Sequence, residues 1–330
     1  MQYNTQRRDF LQKSMILGLG AFSALSFPNV LFAQNTLNIW GAPALISLSL
    51  AVAIKQGRAR DIIPLNYKEW KTPDQLRVGF AGGDFILAAS PSNVGVNLYN
   101  QGIDIKMLNI LTNGLNYIFT KDKNIASLKD LEGKKLIAPF KNDLPDIVFQ
   151  ALCNAHNINL NKITIQYVQT PPEATMLFVN KNEFDAVITQ EPMASAMQLL
   201  AKKNGVAVYR NIDVQKLWEQ TFKECPKIPQ AGLIVRESFY AKNKDFFEVF
   251  HKDLDNAITW ILNNQDTAAK FGAKYLPTPE FGIKAAIPYA NFTAKKCSDI
   301  AQNLDAFFSI IYQLNPKLLG GKMPPKSLYL

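Results

Sequence analysis

The sequence predicts an α/β protein of two lobes, each a mostly parallel sheet flanked by helices, with the chain crossing between them at two hinges. Three observations carry this reading. Strands and helices alternate along most of the chain, one half-domain pattern occurs twice, and an extra strand follows each copy.

The chain opens on Thr5-Gln-Arg-Arg-Asp-Phe-Leu-Gln-Lys13, in which Arg7-Arg8 precede the apolar pair Phe10-Leu11. An uncharged stretch from Ser14 to Ala33 follows. A charged start, an apolar middle and a small residue at the end make a cleavable leader of the twin-arginine (Tat) kind, residues 1–33. No cysteine lies near the cut, which argues against a lipoprotein, and the expected mature protein is soluble and periplasmic.

In the first copy, residues 37–40 form a strand and Pro43 starts a helix that ends at Gly57. A second strand at 63–67 leads to Thr72, placed to cap a helix with Pro73 at its first position and Gln75 completing a capping box. Phe85–Ala88 is a short apolar run of the kind buried in parallel sheets, and Ser90-Pro91 starts the next helix. Gly102 stops that helix, and Lys106–Ile110 is the fourth strand.

The landmarks Thr72-Pro73, Asp84, Pro91 and Gly102 recur as Thr170-Pro171, Asp185, Pro192 and Gly205, at offsets of 98, 101, 101 and 103 residues. The second copy has strands near 135–139, 163–168, 186–189 and 206–209. Tyr117–Thr120 and Ala231–Val235 arrive after each copy is complete, so each is assigned to the opposite lobe. One lobe is then discontinuous, 36–112 plus 228–330, with long helices after Lys244 and Ala294; the other is 113–227.

Composition limits the function. Hydrophobic residues make up 48% and charged residues 19% of 330, a globular balance. The net charge of +9 is dispersed, without the basic run a nucleic-acid groove needs. Cys153, Cys225 and Cys297 are isolated, and His156 and His251 lie far apart, so neither a metal site, a cofactor nor a disulfide framework is expected.

The stretch Ile125-Ala-Ser-Leu-Lys-Asp-Leu-Glu-Gly-Lys-Lys-Leu-Ile-Ala-Pro-Phe140, with the turns Gly82-Gly83-Asp84 and Glu183-Phe184-Asp185, resembles the nitrate/sulfonate/taurine class of ABC-importer binding proteins. That class includes binders of thiamine pyrimidine precursors, and the resemblance covers residues 36–290. It implies a type II periplasmic binding fold, a non-enzymatic and monomeric receptor, and a permease with its ATPase as partners. It also implies an interlobe cleft at the carboxyl ends of the strands, where open α/β sheets place ligands for topological reasons as well.

Candidate ligand contacts follow from those loops. Trp40, Gly41 and Ala42 close the first strand, with Trp40 either stacking on a flat ligand or packing as core. Ser90, Ser92 and Asn93 follow the third strand, Ser90 doubling as a helix cap, and Asn113 sits in the first crossover. In the second lobe the candidates are Phe140, Asn142, Asp143, Asp146, Gln190 and Glu191, the acids being read either as ligand contacts or as helix-start carboxylates. Asp143, Asp146 and Glu191 repel a bare oxyanion unless offset, and no arginine falls in these loops. The expected solute is therefore organic, with hydrogen-bonding nitrogen. Two rivals remain: a ligand sensor on the same fold, and an enzyme resembling thiamine-pyrimidine synthases or menaquinone-pathway dehydratases.

Overall fold

Two sheets organise the molecule. A computed structural model describes residues 36–330; the twin-arginine leader expected at residues 1–33 lies outside the described residues. The first copy of the repeat gives β1 (Leu37–Gly41), α1 (Ile46–Gln56), β2 (Leu65–Glu69), α2 (Pro73–Gly82), β3 (Leu87–Pro91), α3 (Ser92–Asn100) and β4 (Lys106–Thr112). The chain crosses and builds β5 (Asn116–Thr120), β6 (Lys135–Pro139), α4 (Leu144–Ala155), β7 (Thr164–Val168), α5 (Pro171–Asn180), β8 (Ala186–Gln190), α6 (Met193–Lys203), β9 (Tyr209–Asp213) and α7 (Val214–Thr221). It then returns through β10 (Ala231–Val235), α8 (Glu237–Lys242), α9 (Lys244–Asn263), α10 (Gln265–Gly272), α11 (Glu280–Ala286), β11 (Phe292–Lys296) and α12 (Ala301–Leu314).

The six-stranded sheet of lobe 1 runs β11-β4-β10-β3-β1-β2, and the five-stranded sheet of lobe 2 runs β7-β6-β8-β5-β9. In each, β1 or β6 pairs in parallel with both neighbours. The extra strand of each copy is inserted antiparallel into the other sheet, β10 between β3 and β4 and β5 between β8 and β9. Both are apolar along most of their length and buried at every position, as strands enclosed on two faces must be. Gly232 is required in β10, since a Cβ there would sit 1.7 Å from the carbonyl oxygen of Asn109.

Local chemistry repeats with the topology. Thr72 and Thr170 each accept a hydrogen bond from the backbone N–H three residues on, with proline at the first helical position. Gln75 and Glu173 reach back to Lys71 and Gln169 respectively, one residue earlier than in a standard capping box.

Several expected boundaries move. The helix expected from Pro43 starts at Ile46, because Pro43–Leu45 forms the turn that leaves the strand. The second and third strands lie two residues later than read, and Pro91 ends β3 instead of opening a helix. Gly205, at φ 72°, and the bond from the Val206 N–H to the Ala201 carbonyl still belong to the end of α6, which delays β9 to Tyr209. The helix expected after Ala294 begins at Ala301, preceded by the unanticipated edge strand β11, which is paired only to β4.

Two crossovers join the lobes, and one side chain holds both. Gln215 of α7 accepts from the N–H groups of Gly114 and Ile228 and donates to the Pro226 carbonyl. Asn291, at φ 45°, donates to the Gly114 carbonyl at 2.6 Å, and its own carbonyl accepts from the Asn113 N–H.

Candidate functional site

A narrow cavity of about 40 Å³ lies between the lobes, at the carboxyl ends of β1, β3, β6 and β8. Ala42, Pro43 and Trp70 face it from lobe 1, and Phe140, Asp143 and Gln190 from lobe 2. Gln230, on the second crossover, supplies a further amide, and no Lys or Arg is among the described lining residues. A larger, open groove of about 640 Å³ follows β9 and α7 on lobe 2. Its lining comes from lobe 2 apart from Tyr289, so it lacks the two-sided enclosure that closure would complete.

Each candidate has a definite place. Ala42, Phe140, Asp143 and Gln190 line the cavity. Gly41 ends β1, where Tyr67 and Ser47 leave no room for a Cβ. Trp40 lies half-buried, stacked on Phe85 at 4.1 Å with Lys68 over its other face, so its ring packs within lobe 1. Ser90 is buried and donates to the Pro91 carbonyl. The Ser92 hydroxyl and the Asn93 Oδ1 are buried without a hydrogen-bond partner beside the cleft. Asn113 belongs to the hinge. Asn142 takes φ 60°, which frees its N–H for Asp146, and Asp146 also accepts from the Tyr167 hydroxyl at 2.8 Å. Asp146 thus supports the loop from below and does not face the cavity.

Two of the three acids, Asp143 and Glu191, are offset by arginines from elsewhere in the chain. Arg77 of α2 reaches across the cleft to Asp143 Oδ1 at 2.5 Å. Burial pushes the Asp143 carboxyl up, while Arg77 and the Asn93 amide pull it back. Glu191 is fully buried and turned away from the cavity: Arg210 bonds one oxygen at 2.6 Å, the Ser195 hydroxyl donates to that oxygen, and the Ser195 N–H to the other. Burial raises the Glu191 carboxyl, and Arg210 with the Ser195 donors counteracts it. Arg210 is itself held between the rings of Tyr117 and Tyr289, at 4.1 and 4.0 Å.

Loop-based reasoning missed Arg77, Arg210, Trp70 and Gln230. The two arginines sit within a helix and an edge strand, so a search of strand-end loops passes over them. Trp70 was legible in principle, since it directly follows β2 at the same sheet end; its indole N–H donates to the Ala89 carbonyl.

Two α/β lobes meet around a cavity at their strand ends, the place where open α/β sheets hold ligands. The chain belongs to the NMT1/THI5-like family, whose model matches residues 81–268. Among solved structures, an ABC transporter protein from Parabacteroides distasonis is similar with a TM-score of 0.71 at 16% identity, covering 88% of this chain and 96% of that one. The alkanesulfonate-binding protein SsuA from Xanthomonas axonopodis pv. citri, bound to MOPS, has a TM-score of 0.67 at 15% identity, covering 88% and 95%. The periplasmic nitrate-binding protein NrtA from Synechocystis PCC 6803 has a TM-score of 0.58 at 15% identity, covering 75% and 68%. No curated protein sequence matches the chain. The first of these neighbours is named as an ABC transporter protein and the other two for the solute they bind.

Proposed function

We propose that this chain is the solute-binding component of an ABC importer, closing on a small organic molecule and delivering it to a permease. The observation that carries this reading is the cavity whose walls come from both lobes. Solute contacts of that kind are complete only when the lobes are together, so binding shifts the population towards the closed form. The solute class is read from the walls. Trp70, Phe140 and several prolines offer flat apolar surface, while Asp143, Gln190 and Gln230 offer acceptors for N–H groups. A bare oxyanion would find no lining cation, since Arg77 is already engaged by Asp143.

The same proposal covers export. Residues 1–33 act as a twin-arginine leader, and the mature protein works in the periplasm as a monomer without a lipid anchor. Mass spectrometry of the periplasmic fraction should find a chain starting near Gln34; a chain retaining Arg7-Arg8 there contradicts it.

The test of binding is a thermal-shift screen of the purified protein against nitrogen heterocycles, amino acids, sulfonates and oxyanions. A solute at 100 times its Kd stabilises by about 2.7 kcal/mol, a readily measured shift. A nitrogen-bearing organic class should give it. A shift with nitrate or a simple sulfonate alone would overturn the reading of the walls.

A further inference from the structure

We infer that residues 280–290 form a third connection between the lobes, held to lobe 2 by Arg210, which acts as a positioning residue for the cleft wall. The inference rests on the closing-cleft reading above. By sequence this segment lies between α10 and β11, both parts of lobe 1. In space it is bonded to lobe 2 as well. α11 packs on α6 so closely that a Cβ on Gly282 would come within 2.7 Å of the Ala196 Cβ. Ser195 Oγ lies 3.4 Å from the Ala285 carbonyl, and the Tyr117 hydroxyl donates to the Tyr289 backbone carbonyl at 3.4 Å.

Arg210 is the centre of this joint. It bonds Glu191 and Ser195 of lobe 2 and carries the Tyr289 ring on one face of its guanidinium. The ties to lobe 1 are of a different kind: Lys284 with Asp266, both well exposed, and apolar packing of Ile283, Ala286 and Ile287 in the main core. An exposed ion pair is screened and weak, whereas Arg210, fixed by its buried pair with Glu191, gives the Tyr289 ring an anchored seat on lobe 2. The segment therefore moves with lobe 2 and bends against lobe 1 at Asn291, whose bonds to Gly114 and Asn113 tie this pivot to the first crossover. Glu191 also follows Gln190 directly and accepts at its carbonyl from the Leu45 N–H of lobe 1, at 3.4 Å. Fixing Glu191 thus fixes Gln190 in the cavity wall.

Hydrogen exchange on the full chain tests this without any solute, so its failure is separable from failure of the importer reading. Arg210→Lys keeps the charge and loses the fork and the stacking. Amides of residues 280–290 and of α6 should exchange at least tenfold faster, with α10 and β11 unchanged. Unchanged exchange in residues 280–290, or equal acceleration throughout the chain, overturns the inference. Should Arg210→Lys fail to fold, Tyr289→Leu decides, because Tyr289 is 42% exposed and its loss leaves the buried ion pair in place. About threefold faster exchange confined to residues 280–290 is then expected, and no change there overturns the inference.

Discussion

Two arginine–carboxylate pairs join parts of this molecule, and burial sets them apart. Arg210–Glu191 has side chains 14% and 0% exposed, with the Tyr117 and Tyr289 rings against the guanidinium; Arg77–Asp143 has 30% and 10% and spans the cleft. The first cannot separate without stranding a charge in low dielectric. The second can, because opening the cleft returns both groups to water. One sequence has thus used the same chemistry for a permanent joint and for a releasable latch, with depth as the switch.

The largest expected effect is at the joint. Glu191→Ala leaves Arg210 buried and unpaired, and urea unfolding should show a loss of about 3–5 kcal/mol. A loss below about 1 kcal/mol would make the two pairs equivalent and break the comparison. Next, Arg77→Ala or Asp143→Ala should change stability by no more than about 1 kcal/mol while opening the lobes, seen as a larger radius of gyration in X-ray scattering. Removing Asp143 should also weaken solute binding, by roughly tenfold for about 1.4 kcal/mol lost. Salt gives a finer separation. At 1 M the Debye length falls to about 3 Å, so the double-mutant coupling of Arg77–Asp143 should shrink, while that of Arg210–Glu191 stays nearly constant.

The smallest effect is with pH, and its sign is not the intuitive one. Burial holds the Asp143 carboxyl above its ordinary range in the closed form, despite Arg77. A group raised when closed and ordinary when open binds more protons in the closed form. Its contribution to closure is therefore full below the ordinary aspartate value of about 3.9 and fades as pH rises through the raised one. Mild acid should favour closure, followed by scattering; opening on acidification would show that the charge pair dominates burial.

How far the sequence could be read follows from the same contrast. Local rules carried the alternating elements, the threonine caps at Thr72 and Thr170, and the exchange of β5 and β10 between sheets, because each is written in neighbouring residues. The side chain of Arg77 crossing to Asp143 is written in no local pattern, since it joins residues 66 apart through the closed cleft. Glu191 shows a subtler limit. Gln190 ends β8 facing the cavity, and the next residue turns to the other side, so reading both as one loop placed the charge in the wrong compartment. Period-two alternation settles such a choice only when the strand's last residue is known to within one position.

The cysteines described earlier carry a practical consequence. Cys153, Cys225 and Cys297 are all unpaired and buried, and burial raises each thiol, that of Cys153 to about 12. A thiolate is the reactive species, so in the folded state all three should be silent towards maleimides at neutral pH. Cys153 and Cys225 lie in the part of the chain between the two crossovers and Cys297 follows β11 at the edge of the six-stranded sheet, so the molecule carries its own clocks. The rate at which each becomes alkylated reports how often its surroundings come apart, with no added label.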